Sequence, residues 1–70
     1  MTPDTLQAVI ADRDDLRAKV AEADRRLAQM AVTSDRSAHT LKVTSYWRKV
    51  RARAQAYLNV AERICAGAGV

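Results

Sequence analysis

His39, Cys65 and the basic run of Arg48, Lys49, Arg51 and Arg53 are the side chains whose types could do chemistry in this chain. Imidazole and thiolate both bind zinc, but a zinc site needs three or four such ligands close together. His39 is the only histidine and Cys65 the only cysteine. Together they supply neither a metal site nor an intrachain disulfide. Cys65 reads as a buried small hydrophobe, with an intersubunit disulfide or a reactive thiol as its other use. The two glycines, Gly67 and Gly69, lie at the C-terminus, so no glycine-rich loop can cradle a phosphate. No Ser, His and acid grouping and no carboxylate pair falls where a pocket would hold it, and a chain this small has little room for one. No catalytic residue, cofactor or metal is expected. The chain does not read as an enzyme.

What remains is charge. Residues 46–64 carry the only Trp (Trp47), both Tyr residues (Tyr46 and Tyr57) and five of the twelve basic residues. Residues 1–35 hold five basic and seven acidic residues, net −2, while residues 36–70 hold seven basic and one acidic, net +6. The second half therefore presents a basic surface that the first half can neutralise only partly. Two kinds of partner suit it: an acidic protein surface or a nucleic-acid phosphate backbone. Tyr46, Arg48, Lys49, Arg51 and Arg53 are the candidate contacts. On a helical wheel the basic side chains spread over roughly 200°, wider than the narrow face of a groove-reading helix. That scatter favours a solvated face.

The elements that would position these groups read as two helices. Thr2-Pro3-Asp4 is a helix start: a capping hydroxyl, a proline suited to the first turn, and an acid at the positive end of the dipole. Leu6, Val9, Leu16, Val20, Ala23, Leu27 and Met30 then recur at alternating steps of three and four, as the seam of a helix about 3–32. Arg13 falls in that seam, either as a side chain snorkelling from its edge or as a buried polar group that fixes register. Asp12 with Arg17, and Lys19 with Asp24, stand where a parallel two-stranded contact would pair them. Asp15 with Lys19 and Glu22 with Arg26 give support along the helix.

Residues 33–37 break the pattern with capping residues and poor helix formers, and Ser34 or Ser37 is the expected cap of a second helix, with Thr44 or Ser45 as the fallback. The seam register also shifts by one residue across this break. One straight helix over residues 3–66, roughly 95 Å long, would not keep a single seam. A hairpin follows, with the continuous helix as its alternative. In the second helix, about 38–66, Trp47, Val50, Ala54, Tyr57, Leu58, Ala61, Ile64 and Cys65 fall with Tyr46 and Val43 within about 120° of arc. Trp47 and Tyr57 read as core, Tyr46 as the aromatic at the edge. Gly67 and Gly69 stop the helix, and Val70 is expected to fray.

The expected fold is all-α: one domain over 1–70, a two-helix antiparallel hairpin that dimerises into a four-helix bundle or coiled coil. Self-association is expected because 14 of the 70 residues are Ala and Phe is absent, so one hairpin buries little apolar area. The seam residues Leu6, Val9, Arg13, Leu16, Val20, Leu27, Met30, Trp47, Val50, Tyr57, Leu58 and Ile64 would carry both core and dimer. No apolar run approaches 18 residues and no signal-peptide pattern opens the chain, so a cytoplasmic protein with no membrane contact is expected. The function read from this is a non-catalytic protein–protein interaction module, an accessory or regulatory protein of a bacterium or phage, acting as a homodimer with a further protein partner. A nucleic-acid-binding protein and a purely structural scaffold piece are the alternatives.

Overall fold

A computed structural model describes residues 2–33 and 36–70 of the chain. Two helices account for almost all of it: α1 over Pro3–Val32 and α2 over Ala38–Gly67. They pack along their lengths as a hairpin with extents of 49 × 16 × 15 Å. Two paired helices, not one long rod, are the architecture.

Local signals set three of the helix ends. Thr2 is extended, and its hydroxyl accepts the amide of Thr5 at 3.2 Å, with Pro3 entering the first turn where a missing N–H costs nothing. Ser37 does the same for α2, accepting from the Thr40 amide at 3.3 Å. Ser34, the other candidate cap, lies outside the described residues. The fallback caps are interior to α2, where Thr44 donates to the Thr40 carbonyl at 2.8 Å.

The C-terminus of α2 closes in a two-bond motif. Gly69, at φ +77°, donates to the Ala66 carbonyl at 3.2 Å, and Val70 donates to the Cys65 carbonyl at 2.9 Å. This is the Schellman arrangement, which needs a left-handed residue where Gly69 stands. Val70 is thereby tied to the helix instead of fraying. Gly67 has a different role: it lies inside the helix, and a methyl group in place of its hydrogen would meet nothing within 4 Å. Gly67→Ala should therefore raise stability by about 0.5 kcal/mol, while Gly69→Ala should lower it by about 1 kcal/mol. Thermal unfolding of the two variants followed by circular dichroism checks the opposite signs.

The core is small. Among the described residues only Ala23 on α1 and Ala54, Leu58, Ala61 and Cys65 on α2 are buried. Four of these five side chains are short, which permits close approach of the two backbones. The buried set on α2 thus lies to one side of the expected apolar arc, and Tyr57, expected in the core, is 61% exposed. The reason is angular: Tyr57 lies about 70° round the helix from the centre of the buried set. One neighbouring helix cannot cover the whole apolar arc. Trp47, Val50 and Ile64 are half-buried, as are Leu6, Val9, Leu16, Val20, Leu27 and Met30 on α1.

Arg13 is half-buried too. Its side chain is 17% exposed and its guanidinium reaches the Asp14 carboxylate at 3.4 Å on its own helix. A covered stem with its head on a local acid is the snorkelling arrangement. Arg13→Leu should leave the unfolding midpoint unchanged or raise it, with oligomeric state unaltered in sedimentation. A loss of more than about 1 kcal/mol would mean that the guanidinium specifies the packing.

Candidate interaction groove

The antiparallel pairing of α1 and α2 leaves a shallow groove along one side of the hairpin. Toward the chain termini it is formed by Val9, Leu16, Val60 and Ile64, with Asp12 and Asp15 on its rim. Toward the connection between the helices it is formed by Tyr46, Trp47, Val50 and Ala54, with Glu22, Lys49 and Arg53 on its rim. Leu16, Lys19 and Tyr57 line both halves. The two halves enclose about 590 and 540 Å³. Tyr46, Tyr57 and Val60 are each more than half exposed along it.

The aromatic end is held in place by its neighbours. Tyr46 and Trp47 meet edge to face, with ring centroids 5.3 Å apart. Arg26 of α1 lies over the Trp47 ring at 5.5 Å and is itself held by Glu22 at 3.7 Å. A guanidinium on an indole face is a favourable cation–π contact. Trp47 is therefore a fixed wall, while Tyr46 offers its outer surface.

Of the five basic-run candidates, the structure brings Tyr46, Lys49 and Arg53 together on the groove. Arg48 is exposed but does not line it. Arg51 is drawn off to an ion pair with Asp24 across the hairpin. Arg17 likewise reaches Glu62 of α2 at 3.5 Å. These cross-helix pairs use Arg17 and Asp24, the residues whose spacing suggested pairing with Asp12 and Lys19 in a parallel contact. In an antiparallel hairpin the facing helix is nearer than any second copy, so it takes them.

Among the described residues, Asp12, Asp15, Lys19, Lys49 and Arg53 make no ion pair within the chain. The groove rim thus carries free charge of both signs. Its contribution was missed in the sequence because Asp12 and Lys19 read as flanks of a parallel two-stranded contact, Asp15 as helix support for Lys19, and Val60 as lying outside the apolar arc of α2. The available signal was the width of the α2 apolar arc, too broad for one neighbouring helix to cover.

The other reactive groups do not converge on the groove. His39 stands exposed in the first turn of α2, and Cys65 is buried near the opposite end. At 1.5 Å per residue they are roughly 39 Å apart along the helix. With 1% exposure, Cys65 meets a second chain only if the helix end opens. Among the described residues no group of three His, Cys, Asp or Glu side chains could hold a metal. No described helix is long and apolar enough to cross a membrane. No protein-family model matches the chain, and no significant match is found among curated proteins or solved structures.

Proposed function

We propose that the chain is a non-catalytic protein–protein interaction module whose hairpins pair with one another and bind a macromolecular partner through the faces left open. The observation that carries this reading is an excess of exposed surface. A compact monomer of 7.7 kDa exposes about 4,300 Å², whereas this hairpin exposes 5177 Å². The surplus, roughly 900 Å², is comparable with the ~800 Å² that each partner buries at a standard stable interface. The five buried residues among those described, three of them Ala, are too little apolar area to hold 70 residues comfortably against chain entropy. Sedimentation velocity at micromolar concentration tests it: a species of twice the chain mass is expected, and a stable, fully folded monomer would sink the self-association.

A second reading, nucleic-acid binding, is favoured by one observation. Arg48, Lys49, Arg53 and Arg63 of α2 are exposed and make no ion pair among the described residues. Phosphate contacts made by these side chains would weaken steeply as salt rises, with a slope close to the number of phosphates neutralised. A titration of labelled DNA and RNA across a salt series separates the readings. Absence of association at the lowest salt ends the second one.

A further inference from the structure

We propose that the groove is covered by a second copy of this chain laid across it with its ends reversed, so that the acidic end of each copy meets the basic end of the other. The inference rests on the self-association proposed above and adds its orientation.

The argument starts from where the free charges lie. Asp12 and Asp15 rim the groove on the side of the chain termini, and Lys49 and Arg53 rim it toward the connection between the helices. None of the four is neutralised within the chain among the described residues. Glu22 also stands at the basic end, but Arg26 already holds it at 3.7 Å. The groove is therefore electrically polar along its length. Lys19 and Tyr57 belong to both halves and mark the middle.

A homodimer of this kind uses the same surface on both copies, related by a two-fold axis. Two orientations are open to two such grooves. With the axis along the helices, like ends superpose, gathering four carboxylates at one end and four cations at the other. With the axis through the middle of the groove and perpendicular to the diagonal from the acidic pair on α1 to the basic pair on α2, each acidic pair lies on a basic pair and the two hairpins cross. Like charges brought together while apolar surface leaves water oppose binding, and opposite charges at a rim guide it. The reversed orientation is the one this charge pattern supports. Lys19, common to both halves, does not distinguish them. The groove-lining residues of α2 run from Tyr46 to Ile64, roughly 27 Å along the helix, over which two copies could meet.

Sedimentation equilibrium on four proteins at low salt tests the orientation, with circular dichroism confirming helicity in each. The wild type should dimerise. Asp12→Lys with Asp15→Lys should weaken the dimer by at least about tenfold, and so should Lys49→Glu with Arg53→Glu. Combining all four substitutions should restore the wild-type constant to within about threefold. If the wild type dimerises but either double variant does so equally well, or the quadruple variant fails to recover, the reversed orientation is wrong while self-association stands. A monomeric wild type would overturn both.

Discussion

Leu58→Ala should cost about 3 kcal/mol, enough to leave much of the protein unfolded at room temperature. Leu58 is the one large aliphatic side chain in the buried set, 5% exposed among alanines and a cysteine. Removing it takes away the transfer free energy of three carbons and leaves a cavity the neighbouring alanines cannot fill. In a domain of this size each 1 kcal/mol moves the midpoint by about 4–8 °C, so the fall should exceed 10 °C. Thermal unfolding at fixed concentration checks it. A drop of only a few degrees would show that the dimer interface, not the hairpin seam, holds the fold.

Tyr57→Ala should have the opposite profile. Its ring is 61% exposed on the hairpin and lies where the two halves of the groove join. Ala has the higher helix propensity, so the isolated hairpin should lose no stability. At the centre of a covered groove, however, an aromatic anchor is the kind of residue whose truncation costs about 2 kcal/mol or more of binding. The dimer should weaken by about thirtyfold or more. Sedimentation equilibrium reads the association, and circular dichroism of variant and wild type at one matched concentration reads the helicity. Equal association of variant and wild type would place the contact surface elsewhere.

The contrast between Leu58 and Tyr57 also marks what the sequence can and cannot reveal. Thr2, Pro3, Ser37 and Gly69 act through backbone groups within a few residues, so the boundaries of α1 and α2 are legible from local chemistry. The wheel for α2 shows an apolar arc but not the sector of it that a single facing helix covers. That choice depends on how close two backbones can come, a property of Ala23, Ala54 and Ala61 jointly. The Arg17–Glu62 and Arg51–Asp24 links are invisible for a similar reason. They join residues far apart in sequence, and only the register of the folded hairpin brings them into range. The free rim charges become meaningful only once those pairs have taken up Arg17, Asp24, Arg51 and Glu62.

A seam built of such small side chains is also smooth. Deep knobs lock two helices axially, because sliding by a turn would force each out of its hole; Ala23, Ala54 and Ala61 make shallow ones. Leu58 is the one tall feature in the buried track. Among the described residues, devices outside the seam therefore share in setting axial position: the ion pairs Arg17–Glu62 and Arg51–Asp24, whose side chains are open enough for salt to screen. Any displacement along this track would have to lift Leu58 out of its place, part the Arg17–Glu62 and Arg51–Asp24 pairs and slide Arg26 off the Trp47 ring, and it would change the offset between the α1 and α2 walls of the groove.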